Sequence, residues 1–480
     1  MMTTMIHIIP TSMITKLFGG GGFGRHHTLN LTILLGFAIL LVTPRTGTLA
    51  QGTATSSTTD YAAELMTKAD SAWDNERYDE AADAYRQALL VDPSNKRAAY
   101  RLGWCYNEQE KYGDAIWVLK DAVKLEPADE KGRVELGFAY RSAERYQEAI
   151  ETYNELLTIN PKSVDARYYI GWIHNERGEY RDAIDSLLEA VRLDPERSEA
   201  FEDLGYAYKE VGKYNEAVEA YSQAVSLEPD EAGPLKALGD VYFSNLKQYD
   251  KAVSTYRDLL KLNPGEPSSQ YNLGWALNEL GKFDEAVEPL TIVTQLEPGH
   301  VGAWNEMGFA FRKTNQNDFS LDAYSRSLKL EPDNAAAHFG LADLHFYNLK
   351  DYQVAIDQYS AGLRINSDDG KAFRNIGASY NALTQYSEAI ASLEKAARLL
   401  PDDSTIYLEF GFAYDGLGRL QDAVSSYRTA IRFEPQSAEA HLRMGLASMK
   451  LGDLDTATGE YKILVSLDMD RAQKLHKQLP

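Results

Sequence analysis

A proline returns every 34 residues along most of this 480-residue chain. It closes "VDP" at Pro93, "LEP" at Pro127, "INP" at Pro161, "LDP" at Pro195 and "LEP" at Pro229. It recurs in "LNP" at Pro264, "LEP" at Pro298 and Pro332, "LLP" at Pro401 and "FEP" at Pro435, while Ser367 and Met469 hold its place twice. A fixed period of this length specifies stacked units that bury their apolar faces on one another, not one central core. With proline at position 32, units start at Ala62, Lys96, Glu130, Val164, Ser198 and Ala232, then at Pro267, Val301, Ala335, Gly370, Ser404 and Ala438.

Other positions then fall into line. Position 8 is glycine in ten units, among them Gly103, Gly137, Gly171, Gly274 and Gly411. Position 20 is alanine in every unit but the eighth, which has Ser320. Apolar residues at positions 7 and 11, such as Leu136 and Tyr140, share one helical face. Two antiparallel helices approach closely only where the facing side chains are small, so Gly at 8 and Ala at 20 mark a crossing. Proline cannot continue the second helix and opens the next turn. Each unit therefore reads as a helical hairpin.

Over residues 62–469 this pattern resembles the tetratricopeptide repeat (TPR), position by position, in twelve tandem copies. The resemblance implies an all-α, right-handed superhelical solenoid of helix-turn-helix repeats. The first unit departs with Ala69 and Ala72, the last with Ser448 and Met469. Residues 470–480, "DRAQKLHKQLP", suit a capping helix, with Ala472, Leu475 and Leu479 on one side.

A longer period overlies the short one. Segments 164–266 and 267–369 each hold a Gly-Trp unit, a Gly-Tyr or Gly-Phe unit, and a unit with one extra residue, placed in the turns "FSNLKQY" (243–249) and "FYNLKDY" (346–352). A copied three-unit block explains why the Gly-Trp-x-x-Asn-Glu at Gly171 returns at Gly274, and the same motif stands two units earlier at Gly103.

In the TPR family, first helices line a concave groove into which positions 2, 5, 9, 12 and 13 point. Carried onto this chain, that geometry makes a candidate peptide-binding set. It comprises Tyr100, Trp104 and Asn107; Phe138 and Arg141; Tyr168, Trp172 and Asn175; and Tyr206 and Lys209. It continues with Tyr271, Trp275 and Asn278; Phe309 and Arg312; Asn381; and Phe412. Units six and nine put Asp240 and Asp343 at position 9 and move the aromatic to Phe243 and Phe346. Two readings stay open. The aromatics pack against adjacent units, or they form a ladder in which Asn amides hold a cargo backbone and tryptophans hold its side chains.

Charge and motifs bound the function. Formal net charge is −22, and residues 1–59 hold Lys16, Arg25 and Arg45 with no acid. An acidic body argues against nucleic acid, whose affinity rests on clustered Lys and Arg. The single cysteine, Cys105, excludes an intrachain disulfide. His338 and His345 fall at inward positions without a third ligand, and His174 reads as satisfied core. No phosphate loop, zinc spacing or catalytic constellation occurs, and repeats leave no room for a catalytic domain. The expectation is a non-enzymatic scaffold or adaptor that binds a protein or peptide, with no cofactor and no metal. A glycan-binding protein and an accessory subunit of an enzyme complex are the alternatives.

The first residues are of another kind. Residues 31–42, "LTILLGFAILLV", follow Arg25, His26 and His27 and precede a small-residue end at Ala50. Basic, apolar, then small residues form a secretory signal pattern, and the run is short for a membrane span. The expectation is a signal peptide over 1–50 cleaved after Ala50, a flexible polar linker over 51–61, and a periplasmic or secreted mature chain with no stable membrane span. An uncleaved anchor is the other outcome. One cysteine, and no glycosylation acceptor after Asn30, favour a bacterial envelope.

Overall fold

In the computed structural model, residues 54–479 are described, and they are helical hairpins throughout. From the second repeat on, the first helix of every hairpin begins at the unit start expected from the proline period: Lys96, Glu130, Val164, Ser198, Ala232, Pro267, Val301, Ala335, Gly370, Ser404 and Ala438. The first repeat differs. Its opening helix runs Ala54–Asp74, so the stretch expected as a flexible linker is helical from Ala54 onward. The expected signal peptide lies outside the described residues.

The chain divides into two compact units after Cys105. In the first, helices Ala54–Asp74 and Tyr78–Val91 close over Ala69, Ala72, Ala81, Tyr85 and Ala88, all buried. In the second, each hairpin crosses where small residues meet. A Cβ added at Gly171 would lie 2.6 Å from Leu187 Cγ and 3.3 Å from the Ala183 carbonyl oxygen. Ala183 and its counterparts at position 20 are fully buried. In the eighth repeat, Ser320 keeps the crossing polar but satisfied, its Oγ donating to the Gly308 carbonyl at 2.8 Å.

Position 24 lies against the small residue at position 8 and explains much of the tyrosine content. Tyr85, Tyr153, Tyr221, Tyr256, Tyr324, Tyr359 and Tyr427 fill it and are buried. Position 17, the start of most second helices, supplies Tyr78, Tyr112, Tyr146, Tyr180 and Tyr214.

The extra residue of repeats six and nine does not lengthen a turn. It is absorbed in the first helix, which ends as π-helical segments Val241–Asn245 and Leu344–Leu349. A π-bulge is the ordinary way for a helix to take one inserted residue without losing its register.

The last helix, Met469–His476, buries Ala472 and Leu475 against Leu442 and Leu464. It covers the apolar face that the twelfth repeat would otherwise show to water. Among the described residues, no helix is long and apolar enough to cross a membrane.

Candidate functional site on the first-helix face

The aromatic residues at position 9 are half-buried, or just exposed in the case of Tyr206. In Phe138, Trp172, Tyr206 and Phe309 the covered edge rests on position 17 of the preceding repeat. Ring centroids are 6.3 Å apart for Tyr112–Phe138, 6.4 Å for Tyr146–Trp172, 5.9 Å for Tyr180–Tyr206 and 5.7 Å for Phe283–Phe309. Trp104 packs on Trp73 and Tyr78 within the first compact unit, at 4.2 and 5.0 Å. Trp275 meets Phe243 of the preceding π-segment at 5.1 Å and Tyr271 at 5.8 Å. The position is therefore both joint and surface: one edge packs and the remainder stays open.

The asparagines at position 12 have a different role from the one expected. Asn107, Asn175 and Asn278 are buried, and Asn381 is partly so. Each Nδ2 donates to a backbone carbonyl 28 residues on, in the first helix of the next repeat. The acceptors are Glu135 at 3.2 Å, Asp203 at 3.0 Å, Glu306 at 3.0 Å and Glu409 at 2.9 Å. In three cases Nδ2 also reaches the carboxylate of that residue, at 2.9 Å for Glu135 and 2.8 Å for Glu306 and Glu409. These amide N–H donors clamp one hairpin to the next, while each Oδ1 is buried without a hydrogen-bond partner, so the amides expected to grip cargo lie in the joints between repeats.

A second kind of junction serves the repeats with aspartate at position 9. Tyr256 Oη donates to Asp240 at 2.6 Å, and Asn272 of the next repeat donates to that phenol at 3.1 Å. Tyr359 and Asp343 repeat the bond at 2.6 Å, with Asn375 joining at 2.8 Å. Within the first compact unit, Tyr85, Asp70 and Arg101 do the same. Position 6, assigned no role from sequence, thus serves both junctions: it accepts from the asparagine in the first kind and donates to the tyrosine in the second. The signal that could have found it is the spacing of 28 from Asn to acid, written four times.

The cations of the candidate set are mostly engaged within the chain. Arg312 is buried and lies 3.3 Å from Asp343. Lys209 pairs with Glu210 at 3.0 Å. Arg141 stacks over Phe138, Tyr169 and Trp172 at 5.2, 4.7 and 4.7 Å. Phe412 carries Arg443 over its ring at 4.2 Å. Tyr168 is held between the Arg197 guanidinium, 4.1 Å from its ring, and Asp203, and burial pushes its phenol well up. Tyr271 leans on His300 at 4.7 Å, while Tyr100 is half-buried.

A profile of the tetratricopeptide repeat matches residues 66–130, 134–198, 237–299 and 306–370, more than half of the chain. A second TPR profile matches 205–245 and 416–452. The chain belongs to the tetratricopeptide-repeat family. TPR arrays are protein–protein interaction scaffolds, and that is this chain's class. No curated protein matches it. Among solved structures, it is similar to the APC/C hetero-tetramer Cut9-Hcn1, with 15% identity, 89% of this chain and 99% of that one covered, and a TM-score of 0.42. It is also similar to MamA, with 27% identity, 36% and 93% covered, TM-score 0.34. YrrB, a TPR protein with an unusual peptide-binding site, gives 21% identity, 39% and 96% covered, TM-score 0.37.

Acids along the TPR first helices are unevenly neutralised. Burial pushes the Asp203 carboxyl up to about 7, and the nearby charges of Glu202, Glu176 and Glu199 add to the rise. Burial also raises Glu135 and Glu306, with Glu108 and Glu279 respectively pushing the same way. Glu409 is raised by burial too, but Arg374 and Arg443 act on it in the opposite direction.

One cluster was not visible in the sequence. Ligand atoms of His174, Glu179 and Asp182 lie within 4.8 Å of one another. The Glu179 carboxylate already accepts from His174 Nδ1 at 2.6 Å and pairs with Arg177 at 2.8 Å, so it satisfies the histidine locally. His338 is likewise satisfied, by Gln358 and the Pro332 carbonyl, at 2.8 and 3.1 Å.

Proposed function

We propose that this TPR protein is a non-catalytic scaffold that holds an extended polypeptide against its first-helix face. The observation that carries the reading is the stripe of half-open aromatics at position 9, from Phe138 through Trp172 and Tyr206 to Trp275, Phe309 and Phe412. Positions 8 and 20 beside it close completely, so the fold buries apolar surface well wherever burial is its only purpose. Aromatic surface left open in repeats three to five and again in repeats seven and eight suits alternate side chains of an extended partner. The asparagine clamps hold these first helices in register, which keeps the stripe preformed and lowers the ordering cost of binding.

The test uses the full chain with the polypeptide partner that copurifies from its source cells. Trp172→Ala with Trp275→Ala should release that partner, while circular dichroism shows that the variant keeps its helical fold. Retention of the partner by the double variant refutes the reading. Release by free oligosaccharide instead favours a glycan ligand.

The compartment belongs to the same proposal. Arg25, the apolar run 31–42 and the small residues before Gln51 support export with cleavage after Ala50. Intact-mass measurement of the native protein should give Gln51 as the first residue. A dominant species retaining residues 31–42 favours an anchor.

A further inference from the structure

Two first-helix junctions combine an aromatic ring with a pair of acids that has no ion pair among the described residues. At the fourth repeat, exposed Glu176 lies one helical turn beyond Trp172 and acts electrostatically on half-buried Asp203. At the seventh, exposed Glu279 lies one turn beyond Trp275 and acts on half-buried Glu306 in the same sense. Among the described residues neither Glu176 nor Glu279 has an ion pair, and Glu279 accepts only the Trp275 indole N–H, at 3.3 Å. The cations nearby are committed elsewhere: Lys236 to Glu266 at 2.9 Å and Arg312 to Asp343 at 3.3 Å. Lys313 is exposed but lies over the Phe309 ring at 5.4 Å.

The chain supplies its own control. The junction between repeats ten and eleven has the same asparagine clamp, Asn381 to Glu409. There, position 9 is Ala378 and position 13 is Ala382, and Arg374 and Arg443 offset the half-buried acid. The clamp therefore needs neither a tryptophan nor a second acid. Where both are present, they leave an electrostatic cost that a joint alone does not require.

We infer that the first-helix face of repeats four to eight docks a cationic polypeptide segment, with Trp275 and Glu279 forming one socket for a lysine or arginine side chain and Trp172 and Glu176 another. This assignment rests on the scaffold reading above and names its partner chemistry. A cation seated there meets the tryptophan ring and relieves two carboxylates together. Trp172 already carries Arg141 over its ring, so rings at this position take cations in the fold itself. No cation stacks on Trp275 among the described residues, which makes it the more open socket. The net charge of −22 adds long-range attraction for such a partner.

The experiment is fluorescence anisotropy on the full chain with three labelled peptides of equal length, alternating serine with lysine, asparagine or glutamate. The lysine peptide should bind tightest and weaken with added salt. Glu176→Gln with Glu279→Gln should weaken it about fivefold or more. Glu409→Gln should change nothing, nor should Glu151→Gln with Asp185→Asn, which removes two charges from exposed positions on second helices. Melting curves confirm that each variant folds. The assignment is overturned if the lysine peptide binds no tighter than the asparagine peptide. It is equally overturned if the Glu176/Glu279 pair binds like wild type, or if the second-helix pair weakens binding as much, since net charge alone would then explain it. Loss of the asparagine peptide in Trp172→Ala with Trp275→Ala, alongside an inert glutamine pair, keeps the scaffold reading and removes the cation. If neither pair alters any peptide, both fall.

Discussion

The junctions between repeats four and five and between repeats ten and eleven share one clamp and differ in everything around it. In both, an asparagine at position 12 donates to the backbone of the following first helix. In the first, the acid beside that bond is half-buried and feels the like charges of other acids. In the second, two arginines stand near it. A hydrogen bond between helices needs only its donor and acceptor. The surroundings of the acid are therefore free to serve something else, and comparing them separates stability from recognition.

The largest expected effect is electrostatic. Asp203 has a folded-state pKa near 7, above its ordinary 3.8. A raised carboxyl contributes stability that is complete below about pH 4 and is lost as pH rises through about 7. A tenfold change in proton affinity corresponds to about 1.4 kcal/mol, so Asp203 costs a few kcal/mol at about pH 8. Asp203→Asn should raise stability at pH 8 by about that order and flatten this part of the pH dependence between about 4 and 7. Glu409→Gln should do much less, because arginines already offset the charge. Urea denaturation of both variants across that pH range checks the comparison, and equal gains would erase it.

The next effect is the clamp itself. Removing a donor from a buried acceptor costs about 1–3 kcal/mol. Asn278→Ala should fall at the upper end, because Glu306 keeps only the like charge of Glu279. Asn381→Ala should fall near the lower end, because Glu409 retains Arg374 and Arg443. Repeats are coupled mainly to their neighbours, so hydrogen exchange should show the loss centred on repeats seven and eight in one case and ten and eleven in the other. A uniform loss along the chain would mean the clamps are not local.

How much of this was legible follows from where each pattern lies. Gly171, Ala183 and Pro195 recur inside one unit and report contacts inside one hairpin, so hairpin starts were recoverable to the residue. The Asn175–Asp203 bond joins two units, and its halves look ordinary when each helix is considered alone. Asparagine, usually a residue of caps and turns, was assigned to a ligand because its partner was 28 residues away. The expected turn insertion became a π-segment because a helix absorbs one residue at less cost than a packed hairpin loop does. Residues from Ala54 escaped because the first repeat has no predecessor, and its longer helix lies outside the period.

The smallest effect lies in the turn between the two helices, where the same regions differ again. Position 15 has a left-handed backbone in every repeat: φ is 72° at Gly178, 73° at Gly281 and 59° at Thr384. Glycine adopts this conformation at no steric cost, whereas a β-branched residue is strained there. The period hid the requirement because seven repeats meet it with a residue other than glycine, among them Glu76, Glu144 and Asn315. Left-handed backbone costs a non-glycine residue about 1–2 kcal/mol, and glycine's extra freedom in the unfolded chain returns part of that. Thr384→Gly should therefore stabilise the protein by about 0.5–1 kcal/mol. The opposite change, Gly281→Thr, should destabilise it by a similar amount, and since no atom lies within 4 Å of a Cβ at Gly281, packing will not add to the cost. Paired urea midpoints measure both. If Thr384→Gly destabilises instead, the tenth repeat gains more from its threonine side chain than the backbone loses, and its turn is then not comparable with those of the fourth and seventh.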